Sequence, residues 1–195
     1  AGFGFFSPYG LGTEWPADYP LRYIATKDDM KSFFFNPVIA VKLSDNFAAA
    51  FGVSYIRSSL KFNLISYMDF SPNPGDEFDV PAALDADGDA WGLNAGLLYR
   101  GKKFSLGFNW RGGFKIDFAG DLTIDKSGVP APYNQFIPPG GDVTTSFSFP
   151  HILAAGLALN ATEKLMLSFD FHYILWSCYD KYDINIAYTG GGKET

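Results

Sequence analysis

Arg111, Lys115 and Asp117 have the same parity as Asn109, so on an extended chain their side chains share one face. A cation on such a face can hold a carboxylate by charge-assisted hydrogen bonding, which makes Arg111 and Lys115 candidates for meeting an acidic head group. The plainer reading is a salt-bridge network that braces a wall, which Asp170 and His172 could join. Asp85-Ala-Asp87-Gly-Asp89 resembles the opening of a calcium loop. It has Ala90 where such a loop needs glycine and Gly96 where it needs glutamate, so it reads as an acidic loop. With two His and one Cys, no repeated ligand spacing exists and no metal site is expected. Asn160-Ala-Thr162 fits the glycosylation pattern in a predicted turn and is treated as chance. No nucleophile elbow, phosphate-binding glycine loop or Ser-His-Asp set is found, so neither an enzyme nor a cofactor is expected.

The elements that position these residues are strands. From Phe104 to Phe118, the residues Phe104, Leu106, Phe108, Trp110, Phe114, Ile116 and Phe118 alternate with polar or small ones. That is the two-residue period of a strand. Leu165 to Leu175 and Trp91 to Tyr99 alternate in the same way. From Phe47 the odd positions are apolar as far as Tyr55, and then Ile56, Leu60, Phe62 and Leu64 take over. Such a phase switch predicts a β-bulge. Segments near 32–43 and 143–159 are strands of weaker pattern. Asn36-Pro37 and Pro150 lie within predicted strands, and a proline there removes a ladder donor and marks a kink, an edge or a bulge.

The connections alternate in length. Short turns are expected at Ser44 to Asn46, Arg100 to Lys103 and Asn160 to Lys164, and long loops at about 7–30, 71–88 and 119–142. That is the rhythm of an outer-membrane barrel, with short turns inside and long loops outside. Several strands exceed the roughly 9–11 residues that cross a bilayer and should project above it. Trp15, Trp91 and Trp176 fall near predicted strand ends, where aromatic girdles form, while Trp110 is more central.

Composition agrees. Aromatic residues make up 18% of the chain, with 20 Phe, 21 Gly and 12 Pro, a mix that favours strands and turns. The net charge is −6 with scattered Lys and Arg, which argues against nucleic acid. The single cysteine, Cys178, excludes a disulfide within the chain. No apolar run reaches the roughly 18 residues of a transmembrane helix. Ala1 opens directly on a strand-like Gly-Phe-Gly-Phe-Phe run, so the natural N-terminus is expected upstream. A soluble barrel or sandwich also alternates, and this pattern alone leaves it open.

Four segments carry a resemblance. Ser7-Pro-Tyr-Gly-Leu-Gly-Thr-Glu-Trp15 with Pro20 to Tyr23, then Phe35-Asn36-Pro37, then Gly88-Asp89-Ala-Trp91-Gly92, then Phe149-Pro150 with Asp170 to Ser177, resemble in order segments of the FadL family. These are outer-membrane transporters of long-chain fatty acids and aromatic hydrocarbons. The resemblance runs from about Phe3 to Ile186.

It implies an all-β, transmembrane antiparallel β-barrel in the bacterial outer membrane, a monomer of about fourteen strands plugged by an N-terminal hatch. The whole chain, 1–195, would be a partial barrel of about seven strands. The hatch and the closing C-terminal strands would be absent, and the two open edges would be completed by missing sequence or by another chain. The implied partners are hydrophobic small molecules, which diffuse through after binding, and outer-membrane lipid or lipopolysaccharide, to which calcium could bridge the acidic segment. Expected binding residues are Phe5, Phe6, Tyr9, Leu11 and Trp15, with Arg111 or Lys115 at any head group. The family releases substrate sideways at a kinked strand, for which Asn36, Pro37 and Pro150 are candidates, with a local bulge as the plain alternative. A general porin and a soluble lipid-binding barrel are the competing functions.

Overall fold

The computed structural model describes residues 1–70, 75–179 and 183–189. Eleven strands form one antiparallel sheet: β1 (Gly2–Phe6), β2 (Gly10–Glu14), β3 (Lys27–Lys42), β4 (Phe47–Asp69), β5 (Glu77–Arg100), β6 (Phe104–Arg111), β7 (Phe114–Ile124), β8 (Gly141–Phe149), β9 (Ile152–Thr162), β10 (Leu165–Ile174) and β11 (Asn185–Tyr188). They lie along seven passes of the chain. β3, β4 and β5 are unbroken passes. β1 with β2, β6 with β7, β8 with β9, and β10 with β11 are broken ones. No helix among the described residues is long and apolar enough to cross a membrane, which says nothing of crossing by strands.

The strands run further out than their sequence pattern predicts. The β4–β5 hairpin is paired from Phe47↔Tyr99 to Asp69↔Glu77. Most of the loop expected at 71–88 is therefore strand, and residues 71–74 of it lie outside the described residues. The acidic segment Asp85 to Asp89 is part of β5 and not a loop. β7 continues to Ile124, which shortens the loop expected at 119–142.

The outer face changes character along each pass. On β4, Phe47, Phe51 and Tyr55 point outward, followed by Arg57 and Lys61. On β5, Leu97, Leu93 and Trp91 are followed by Asp89, Asp87 and Asp85. The apolar stretch of each strand has the length that about 9–11 tilted residues need to cross a bilayer. Trp91 is 67% exposed and rests on Tyr55, with ring centroids 5.2 Å apart, an aromatic pair at the upper boundary of the band. Above that boundary the wall is charged, with Arg57–Asp87 at 3.2 Å and Lys61–Asp85 at 2.5 Å.

The inner face changes in the opposite sense. Below the boundary it is small and polar. Asn94 donates to Asn36 at 3.0 Å over Gly52, where a Cβ would lie 2.6 Å from one amide oxygen and 2.8 Å from the other. Above the boundary Phe34, Ile56, Leu84, Ile116, Phe118 and Val143 form a buried inner core. Each such side chain contributes on the order of 1.5–3 kcal/mol when fully buried. A smaller cluster of Val80, Val129 and Ile137 holds the 125–140 loop down, with Tyr133 stacked on Phe70 at 5.3 Å.

Two expectations are corrected here. The phase switch between Tyr55 and Ile56 is not a bulge, because β4 keeps one register with β3 between Ala48 and Asn63 and one register with β5 from Phe47 to Asp69. The apolar side changes there while the backbone does not. Conversely, the pattern from Phe104 to Phe118 does not lie on one face. β5 pairs Asn94↔Arg111 with β6 but Asp89↔Asp117 with β7. One extra residue sits in the Gly112–Gly113 link, which is a bulge. Phe104, Leu106 and Phe108 are exposed on the outer face, whereas Phe114, Ile116 and Phe118 are buried on the inner one. Arg111 and Asn109 therefore face inward, while Lys115 and Asp117 face out and pair with each other at 3.0 Å.

This placement predicts a labelling difference. In a Cys178→Ser background, cysteine at Lys115 should react with a membrane-impermeant maleimide at a rate that no hydrophobic ligand alters. Cysteine at Thr145, on the inner face, should be slowed by ligand. Equal ligand protection at both positions would contradict the inversion.

Candidate binding site

Three passes break at the same level, and the breaks bring the site together. Ser7 to Tyr9 separates β1 from β2, Gly112–Gly113 separates β6 from β7, and Pro150–His151 separates β8 from β9. The first link also carries one extra residue, since β1 pairs Phe6↔Phe34 but β2 pairs Gly10↔Lys31 with β3. The bulge turns Tyr9 inward. Tyr9 meets Phe149 at 4.8 Å and Phe34 at 6.1 Å. Phe114 stacks on Phe149 at 4.8 Å and meets Phe34 edge-on at 5.6 Å, and Phe6 stacks on Phe34 at 5.4 Å. Offset and edge-on pairs of this kind add about 0.5–1.5 kcal/mol each beyond burial.

Above this aromatic layer lies a cavity of about 460 Å³. Its wall is mainly apolar: Leu11, Met30, Leu60, Phe62 and Leu84 on one side, and Phe147, Phe149, Trp176, Tyr179 and Ile184 on the other. Asp28 and Thr145 are polar side chains in that wall. Asp28 lies on the part of β3 above the apolar band. Burial pushes its carboxyl above the usual range, and the neighbouring Asp29 carboxylate adds to this. The Tyr9 hydroxyl is buried without a hydrogen-bond partner among the described residues.

Below the layer stands Arg111. Its guanidinium carbon is 5.1 Å from the Phe6 ring centre and 6.0 Å from that of Phe34, within cation–π range. No carboxylate among the described residues forms an ion pair with it. Arg111 is not part of the cavity wall and lies against the far side of the Phe6 and Phe34 rings.

The structure brings together some of the residues expected to bind ligand and not others. Tyr9 and Leu11 line the cavity, and Phe6 packs beneath it. Phe5 is on the outer face against Phe33 and Phe35. Trp15 stacks on Tyr19 in the following loop at 4.8 Å. Lys115 is on the outer wall. Asn36 and Pro37 lie where the β3–β4 register runs on unchanged from Phe35↔Tyr55 to Val38↔Gly52. Pro150 lies where β7–β8 pairing ends at Phe114↔Phe149 and β6–β9 pairing begins at Arg111↔Ile152. Asp170 and His172 lie on β10, opposite Gly156 and Ala154. Trp176 lines the cavity. Met30, Phe62, Phe147 and Phe149 were not anticipated as lining residues; their inward parity above Tyr55 was the available signal.

An antiparallel wall with an apolar outer band and an inverted interior defines a transmembrane β-barrel of outer-membrane type. A family model described as outer membrane protein transport protein (OMPP1/FadL/TodX) matches residues 1–194. The chain belongs to this family, whose members are transporters and not enzymes. The fold is similar to that of a Pseudomonas aeruginosa FadL homologue, with a TM-score of 0.78 and 17% identity over 96% of this chain and 48% of that one. It is also similar to the Ralstonia pickettii toluene transporter TbuX, with a TM-score of 0.75 and 19% identity over 97% of this chain and 55% of that one. The chain thus spans about half the length of these structures. No curated protein sequence matches it.

Asp28 sets a pH dependence with a definite sign. Its raised pKa means that it takes up a proton at a higher pH than a free aspartate does. Binding of an acidic amphiphile should therefore strengthen as pH falls toward the carboxylate range, because repulsion in the cavity wall is removed. Titration followed by calorimetry should show this gain in the wild-type protein. Asp28→Asn should bind well at neutral pH with a flatter profile; an unchanged profile would remove Asp28 from the site.

Proposed function

We propose that the chain forms part of the wall and the outer binding chamber of an outer-membrane transporter for hydrophobic compounds. The supporting observation is the apolar cavity above the Tyr9–Phe34–Phe114–Phe149 layer, with Arg111 beneath it lacking an ion-pair partner among the described residues. An alkyl or aryl body fits the cavity, since apolar walls supply most of the affinity at such sites and a few polar groups fix orientation. Long-chain fatty acids and aromatic hydrocarbons both meet this description. Arg111 separates them, because only the acid carries a group that it can hold by charge-assisted hydrogen bonds.

The edges β1 and β10 have one neighbour each among the described strands. Lipid does not tolerate open edges, so further strands, from the same protein or another chain, complete the wall. Above the apolar band, Lys31, Arg57 and Lys61 stand where the phosphorylated head groups of lipopolysaccharide would meet the wall.

Binding of a long-chain fatty acid and of an alkylbenzene to the purified protein in detergent tests the reading. Both should bind saturably. Arg111→Gln should weaken the fatty acid about tenfold, the loss of one hydrogen-bonded charge contact, and leave the hydrocarbon within about twofold. Equal loss of both would show that Arg111 only braces the rings. Absence of saturable binding by either compound would overturn the proposal.

A further inference from the structure

We propose that His151 is a pH-sensitive latch that closes the break in the wall between β6–β7 and β8–β9. Two residues on each side of this break, Gly112–Gly113 and Pro150–His151, lie outside the strand ladder. Gly112 donates to the Leu93 carbonyl at 2.8 Å, on the far side of its strand. Pro150 has no N–H to offer. The Gly113 N–H lies outside the ladder and is met instead by the His151 side chain: Nδ1 accepts from Gly113 N at 3.0 Å and from Trp110 Nε1 at 3.3 Å. The imidazole lies nearly parallel to the Trp110 ring, at 14° and 6.1 Å. Glycine is required at 113, since a Cβ there would lie 2.8 Å from the Phe149 carbonyl oxygen and 3.1 Å from the imidazole.

Both bonds need a lone pair on Nδ1, so the imidazole carries its proton on Nε2. Protonation at Nδ1 turns the acceptor into a donor and sets it against two N–H groups. Imidazoles ordinarily gain this proton at about pH 6–7. The latch therefore holds while the imidazole is neutral and opens when it is protonated. Other charged or titratable groups lie on the flanking elements. On the paired pass, Arg111 is turned inward over Phe6 and Phe34, and Lys115 is held outward by Asp117. On the next pass are His172, Tyr173 and Cys178, whose thiol points to the Ser148 carbonyl at 3.9 Å. None of these donates to Nδ1; both bonds come from neutral groups. The break lies beside Leu93, one outward position below Trp91 at the upper boundary of the apolar band, and His151 is exposed there. It also adjoins Phe114 and Phe149, so release loosens the layer under the cavity. The latch depends on no ligand, and its test stands apart from that of the proposed function.

Hydrogen exchange of the 110–114 segment in the purified protein in detergent tests it, with each pH compared against His151→Gln at the same pH. Glutamine keeps an acceptor and cannot be protonated in this range. Protection should match the Gln variant at about pH 8 and fall about tenfold below it at about pH 5. His151→Phe, which keeps the ring and lacks the acceptor, should be unprotected at both. A constant ratio of wild type to the Gln variant across this range, or full protection in the Phe variant, would overturn the latch.

Discussion

A wall that stands in lipid must satisfy every backbone N–H and C=O within its own sheet, because the surrounding medium offers no partner. β4 and β5 meet this demand by continuous pairing 23 residues long, and β3 pairs with β4 on both sides of Asn36 and Pro37. Even Pro37 does not shift their register. Within the first six passes the breaks are displaced to one level, next to Tyr55 and Trp91. That is the height at which the outer face leaves its apolar band, so water and side chains can take over from the ladder. The bulges at this level swing Tyr9 and Phe114 into the interior. The aromatic layer is thus a consequence of where the backbone can be interrupted.

The same boundary inverts the hydrophobic pattern. Below it the apolar residues face out and the interior is small and polar, and above it the reverse holds. An unbroken strand must then switch apolar parity at the boundary, as β4 does between Tyr55 and Ile56. A strand with one inserted residue reverses its faces at the same point, and the two reversals cancel. Its apolar parity runs on unchanged, as from Phe108 to Phe118 and from Phe3 to Leu11. Sequence alternation therefore disclosed the strands and their seven passes, and it misplaced the bulge. Gly112–Gly113 was the local sign, yet a glycine pair in a glycine-rich chain does not announce a register shift until the partner strand is known.

The site was legible to a smaller degree for a related reason. Tyr9 and Leu11 lie in a segment whose Pro, Gly and aromatic residues stand out locally. Their partners Met30, Phe62 and Phe149 come from three other passes, and only the curl of the sheet brings them together. Lys115 and Arg111 looked alike because both are cations of one parity. The extra residue in the Gly112–Gly113 link puts one on each side of the wall.

On the proposed function, the layer makes head-group chemistry the discriminating property. Entering the cavity removes apolar surface from water, a gain of roughly 25 cal/mol per Å² that is blind to the difference between a fatty chain and an arene of equal area. Moving further down reverses part of that gain, because Asn36, Asn94 and Asn109 face the lumen below the rings. Tyr9 and Phe149, only 4.8 Å apart, must also separate. An anion finds Arg111, held against Phe6 and Phe34 without an ion-pair partner among the described residues. A cation held on ring faces is weakly hydrated and oriented before the ligand arrives, so little reorganisation opposes the contact. Apolar area therefore drives entry into the chamber, opposed for an anion by Asp28 in its wall, and charge governs the step beyond it.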